Sequence, residues 1–319
     1  MGSNYTTGIK TILIPILFLL LGSEINNENI GKITFGYVYG VVVGSIIALL
    51  REKIPHMQEF VSYKATAMQY SGSVGYTRVT RVSGVWGDPN YYSVHLILCI
   101  ILCAILFSKK KISNVSFYFV YIFTAIMGAL TGSKSFLLML VIVSIFIISI
   151  LARDKQYSHL AIFIGMIFIA VVYVLSGKID IFSFALDRLL SPDIEGTTDL
   201  TTGRSSRWVQ YSIDFIENPT HLVFGTGVKN GFIFNAPHNT YFDFLTILGI
   251  LGTALFWTSI WISSKRIWRN QRKGTIYPIL ILAIMYFFLS MIFNIEFVFE
   301  LVLGLAYCYI AIDKNQFEY

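Results

Sequence analysis

Phe136-Leu137-Leu138-Met139-Leu140-Val141-Ile142-Val143-Ser144-Ile145-Phe146-Ile147-Ile148-Ser149-Ile150-Leu151-Ala152 is a run without a single charge, bounded by Lys134 and Arg153. Wound as a helix it is apolar on every face, and at about 1.5 Å per residue it spans most of a bilayer's hydrocarbon core. A helix without a polar face has no place on a water-facing surface. Eight further apolar segments surround it, at 9–22, 33–50, 89–107, 115–131, 158–175, 239–264, 276–295 and 297–312. The first is short enough to be re-entrant or interfacial. Composition agrees: of 319 residues, 55% are hydrophobic and 13% charged, with mean hydropathy +0.67. A soluble domain carries about twice that charged fraction, so a water-soluble enzyme is excluded. The expected fold is all-α, a polytopic membrane helix bundle of about nine transmembrane helices forming one transmembrane domain over 1–319.

The formal charge of +6 reports cytoplasmic Lys and Arg rather than nucleic-acid binding. Cys99, Cys103 and Cys308 all lie inside apolar runs and read as small buried hydrophobes, with no disulfide framework. No cleavable signal is evident around the first run, whose nearby positive charge is Lys10.

Orientation follows from the short basic loops. Lys109-Lys110-Lys111, Arg153 with Lys155, and Lys265-Arg266 with Arg269, Arg272 and Lys273 each separate closely spaced segments. Even numbers of crossings put all three in the cytoplasm, together with Lys314 near the C-terminus. Nine crossings then put the N-terminus outside, unless 9–22 does not span or upstream residues are missing. Two long segments face outward, 51–88 and 176–238. The second carries an amphipathic helix from Thr202 to Asn218, capped by Thr202 or Ser205 and ended by Pro219.

Counting by this topology, twelve of the 24 Lys and Arg are cytoplasmic, and the other twelve lie outside, where short loops avoid them. Lys134 is in the tight turn Thr131-Gly132-Ser133-Lys134-Ser135. Arg204 and Arg207, at i and i+3, hold two guanidinium groups on one helix face. Such groups suit phosphate oxygens, or are solvated surface arginines. His238-Asn239-Thr240-Tyr241-Phe242-Asp243 opens the segment after the large loop. Asp243 falls one to two turns into the membrane, where an ionisable residue implies function or a structural bond to Asn239. Gly249 and Gly252 follow, as small residues that let helices approach.

These residues resemble a family. His238-Asn239, nine residues, Gly249, two residues, Gly252 is similar to the His-Asn…Gly…Gly signature of the O-antigen ligase and O-antigen polymerase superfamily. Gly203-Arg204…Trp208, then Asn218-Pro219 and Phe224-Gly225-Thr226-Gly227, resembles that family's large external loop. Gly87-Asp88-Pro89-Asn90-Tyr91 matches its Asp/Asn-Pro-Asn element, and Gly132-Ser133-Lys134-Ser135…Leu138 its external Ser-Arg turn. The likeness covers roughly 78 to 312. It departs in two places: Lys134 stands where the family has Arg, and two or three of its dozen helices are absent at the N-terminus.

The resemblance implies a C-type membrane glycosyltransferase that moves a glycan from undecaprenyl pyrophosphate, on the outer face of the cytoplasmic membrane, onto an acceptor. A polymerase uses another lipid-linked repeat unit, a ligase the lipid A core. The activated donor requires no nucleotide, cofactor or metal. Arg204 and Lys134 would neutralise charge on the departing pyrophosphate, with Arg207 supporting them. His238 would act as general base or as a further pyrophosphate contact. Asp88, Asn90, Asn239, Trp208 and Tyr241 complete the expected substrate-binding set. Membrane lipid, a chain-length regulator and a flippase are the implied partners, and no nucleic acid. The shortness of the chain and Lys134 favour polymerase over ligase. The competing class is a transporter, which requires polar helix interiors and breaks near the midplane. Glu296 and Glu300 have no assigned role, beyond binding sugar hydroxyls or capping a loop.

Overall fold

The computed structural model describes residues 27–50, 65–71, 75–84, 88–108, 110–175, 204–227 and 239–269. The segments 9–22, 276–295 and 297–312 lie outside the described residues, as do His238, Cys308, Glu296 and Glu300. The chain divides into two compact units, Gly31–Thr198 and a second formed by Met1–Ile30 with Asp199–Tyr319.

The first unit is mostly helical. α1 (Asn27–Leu50), which begins just before it, is followed by strands β1 (Ala65–Ser71) and β2 (Gly75–Arg81) and then helices α2 (Pro89–Ser108), α3 (Asn114–Leu130), α4 (Lys134–Arg153) and α5 (Tyr157–Leu175). Each helix coincides with an apolar segment of the sequence to within a few residues, except that α1 starts six residues early. The all-helical expectation needs one amendment. Part of the 51–88 loop is an antiparallel hairpin, paired from Ala65 with Arg81 to Ser71 with Gly75.

α2 is the centre of this unit. Leu96, Ile97, Leu98 and Cys99, four successive residues that point to different sides of it, are all buried, as expected of a helix apolar all round. It packs on α3 and α4, and α4 packs on α5. α1 runs antiparallel beside it, held by Tyr37 Oη to His95 Nδ1 at 2.7 Å and Tyr92 Oη to Ser45 Oγ at 2.6 Å. Cys99 and Cys103 are buried thiols. α3 and α4 approach closely because Gly128 offers no side chain: a Cβ there would overlap the Phe136 ring. α2 and α4, with Tyr241–Thr258 of the second unit, are long and apolar enough to cross a membrane.

The basic turns share one end of this unit. Lys110 and Lys155 both adopt φ of 55°. Lys111 N–H donates to Leu106 O and Lys110 N–H to Phe107 O, and Gln156 and Lys155 repeat the pattern on Leu151 and Ala152. Both turns are therefore Schellman caps with lysine at the left-handed position. His159 at the start of α5 joins this end, through Tyr118 Oη and Asn114 Nδ2.

The second unit is built from α6 (Arg204–Glu217), α7 (Pro219–Phe224) and α8 (Thr240–Arg269). α6 buries Tyr211, Asp214 and Phe215 on one side and leaves Val209, Ile213 and Ile216 exposed on the other. The amphipathic helix ends at Glu217, and Pro219 starts α7, where its missing N–H costs nothing. α8 is not continuous. It breaks at Gly249, with φ 63° and ψ −176°, a conformation essentially restricted to glycine. Phe224-Gly225-Thr226 docks against that break: Thr226 N–H and Oγ1 both donate to Thr246 O, at 2.7 and 3.0 Å. Gly249 thus interrupts its own helix to admit a loop, where the sequence suggests only close helix packing.

Candidate functional site

In the first unit, the end opposite the basic turns is a polar cluster. Asp88 Oδ1 accepts from the Asn90 and Tyr91 amides at 2.7 and 3.2 Å, and Pro89 follows at the first helical position. Asp88-Pro89-Asn90 is therefore the N-terminal cap of α2. Asp88, expected to bind substrate, spends one carboxylate oxygen on this cap. One turn on, Ser93 Oγ donates to Pro89 O at 2.7 Å and pairs with Thr131 Oγ1 at 3.0 Å. That second bond ties α2 to the α3–α4 turn.

Arg81 completes the tie. This last residue of β2 is only 9% exposed. Its Nε donates to Thr131 O at 2.6 Å and its Nη2 to Asn90 Oδ1 at 3.1 Å. A buried guanidinium must have its donors satisfied, and here the acceptors come from two helix ends at once. Val82 N–H adds a bond to Leu130 O at 3.1 Å. Two motifs about forty residues apart in sequence, the Asp-Pro-Asn element and the Lys134 turn, thus meet around one residue that the sequence reading did not single out. No spacing rule flags a lone arginine ending a short strand.

Lys134 is the first residue of α4, after the N-cap Ser133, whose Oγ accepts from the Phe136 amide at 3.4 Å. It is half-buried and makes no hydrogen bond or ion pair among the described residues. A cation at a helix N-terminus faces the positive end of the helix dipole. Both the ammonium and the dipole favour an anion there.

The second unit carries the other expected residues. Arg204 begins α6 and Arg207 follows one turn later, half-buried; for Arg204 only the backbone is among the described residues. Trp208 stacks on Phe242 at 6.1 Å and 9°, and Tyr241 on Trp257 at 5.7 Å and 25°. Each ring expected to hold sugar therefore already presents one face to a neighbour. Asn239 is buried and caps α8, its Oδ1 accepting from the Tyr241 and Phe242 amides at 3.0 and 3.4 Å. Its link to Asp243 runs through the backbone, Asp243 N–H to Asn239 O at 2.9 Å. Asp243 is fully buried.

A further cluster stands at the α6–α7 corner. Asp214 is buried, with Oδ1 accepting from Asn218 Nδ2 at 2.9 Å and Oδ2 facing His221 Nδ1 at 3.0 Å. Asn218 is the N-cap residue of α7 and His221 its third, so the cluster forms at the corner before Pro219, which no single-helix spacing in the sequence discloses.

Among the described residues no three His, Cys, Asp or Glu side chains gather closely enough to hold a metal ion. No family model, curated protein or solved structure matches the chain.

Proposed function

We propose that this chain is a membrane glycosyltransferase that joins undecaprenyl-pyrophosphate-linked repeat units into a bacterial surface polysaccharide, O-antigen or capsule. It would work as a bundle of about nine transmembrane helices, on the outer face of the cytoplasmic membrane. One observation carries the reading: Arg81 draws the Asp-Pro-Asn element and the Lys134 turn together at the helix ends opposite the basic turns. On this reading the basic turns face the cytoplasm, and the opposite end faces outward. Lys134 there has no counter-ion among the described residues.

In the reaction, the acceptor hydroxyl bonds to the donor's anomeric carbon as that carbon's bond to pyrophosphate breaks. The resemblance would give Lys134, Arg204 and Arg207 the task of offsetting the negative charge gathering on the leaving group, an interaction stronger at a low-dielectric membrane edge than in water. His238 takes the proton or contacts the pyrophosphate. A ligase would run the same step onto a lipid A core.

A second reading has an observation in its favour. The break of α8 at Gly249 is the interruption expected of a transporter of lipid-linked glycan. The full chain in proteoliposomes supplied with a lipid-pyrophosphate-linked repeat unit separates the readings. A ladder of longer lipid-linked chains with release of undecaprenyl pyrophosphate is the result expected. Donor moved across the bilayer without lengthening would establish transport instead. Lengthening only on added lipid A core would establish a ligase.

A further inference from the structure

We infer that Asp214 and His221 form a carboxylate–histidine pair that removes the proton from the acceptor hydroxyl. The inference rests on the transferase reading above and names a base for it.

The geometry is that of an oriented base. A carboxylate only accepts, so the 3.0 Å contact between Asp214 Oδ2 and His221 Nδ1 fixes the imidazole proton on Nδ1. The lone pair of a neutral ring is then on Nε2. The His221 side chain is 36% exposed against 8% for Asp214, and Nε2 makes no hydrogen bond among the described residues. Asp214 is thus the buried orienter, and His221 the group a substrate can reach. That division of roles is what general-base catalysis by histidine requires.

The other histidines of the described residues are differently placed. His159 has both ring nitrogens engaged, by Asn114 and Tyr118, at the end that carries the basic turns. His95 bonds Tyr37 within the helix packing.

Nor does the corner need His221 as a staple. Asn218 N–H donates to Asp214 O at 2.7 Å, Asn218 Nδ2 to Asp214 Oδ1 at 2.9 Å, and His221 N–H to Asn218 O at 2.9 Å. These bonds hold the turn without the imidazole. Arg207 and Asp214 are two helical turns apart on one face of α6, about 10 Å along its axis, a separation that a sugar ring and a diphosphate bridge. In the step assigned here, the acceptor oxygen bonds to the anomeric carbon and its proton passes to Nε2. The carbon–pyrophosphate bond breaks, and its electron pair leaves with the lipid pyrophosphate. Asp214 stabilises the imidazolium that results.

The test uses the full chain in proteoliposomes with lipid-pyrophosphate-linked repeat units, and wild type must first elongate them. If it does not, the transferase reading fails and this inference goes with it. Given elongation, His221→Gln is expected to lower kcat by about 100-fold or more while leaving the acceptor KM within about threefold. Asp214→Asn should behave alike, because one amide oxygen then meets two donors and the ring loses its fixed tautomer. Added imidazole should restore turnover to His221→Gly, which a structural role would not allow. His221→Gln turning over within about threefold of wild type would overturn the inference. So would variants whose melting shows loss of the fold, since the pair would then hold the corner rather than serve the reaction.

Discussion

Gly225 and Gly249 meet backbone to backbone. A Cβ built on Gly249 would sit 2.5 Å from the Gly225 nitrogen, and one on Gly225 would sit 2.6 Å from the Gly249 nitrogen. Both residues have positive φ, 75° and 63°, with ψ near 180°, the region that only glycine enters readily. Alanine at either position therefore meets strain and overlap together. Gly225→Ala or Gly249→Ala should each cost at least about 3 kcal/mol, read as a lowered melting temperature of the detergent-solubilised protein. An alanine variant melting within about a degree of wild type would mean that the loop does not dock at the break.

Arg81 predicts coupling rather than a single large loss. Its guanidinium serves Thr131 O and Asn90 Oδ1 simultaneously, and hydrogen bonds from a charged donor contribute about 1.5–3 kcal/mol each. Arg81→Gln and Asn90→Ala should therefore each destabilise the chain, and the double variant should cost less than their sum by at least about 0.5 kcal/mol. Strict additivity in that cycle would show that Asn90 does not depend on Arg81.

The helices could be read from sequence because uninterrupted apolar runs leave few alternatives in a bilayer. α2 through α5 begin and end within two residues of the runs that announced them. Tertiary choices were hidden. Nothing in an Asp-Pro-Asn triplet distinguishes a substrate contact from a helix cap, because both need an oxygen acceptor at a helix start. Gly249 looked like a packing residue, since small size alone does not disclose a positive φ. Arg81 was invisible because its partners are a carbonyl and an amide, not an oppositely charged residue that a charge pattern would reveal. Asp214, Asn218 and His221 come together only because the chain turns at Pro219, and no single-helix spacing announces that corner.

The lysine caps give a prediction independent of function. Lys110 and Lys155 hold φ of 55°, and a residue with a Cβ pays roughly 1–2 kcal/mol for that conformation where glycine does not. Lys110→Gly and Lys155→Gly should each raise stability by up to about 1 kcal/mol, after glycine's larger loss of chain entropy. The caps end different helices, so their effects should add. Melting of the two singles and the double checks this. Their removal from the basic loops should also weaken the orientation signal, which accessibility labelling of the loops from either side would register.

Lys134 should show stability and activity moving in opposite directions. It opens α4, behind the Ser133 cap, where the helix dipole disfavours a cation by about 0.3–1 kcal/mol. Lys134→Gln removes that repulsion and should stabilise the fold by a similar amount. If the ammonium faces the pyrophosphate, the same change should slow elongation at least tenfold, about 1.4 kcal/mol of transition-state stabilisation. Lys134→Arg keeps the charge and adds a second donor for phosphate oxygens, so it should retain turnover with stability near wild type. A side chain that only anchors the turn at the membrane surface gives a different pattern. Gln would then reduce correct insertion and leave the rate per inserted molecule intact. Melting temperature and rate per inserted molecule, measured on the same three proteins, separate the two roles. A Gln variant that is both more stable and fully active would remove Lys134 from the chemistry.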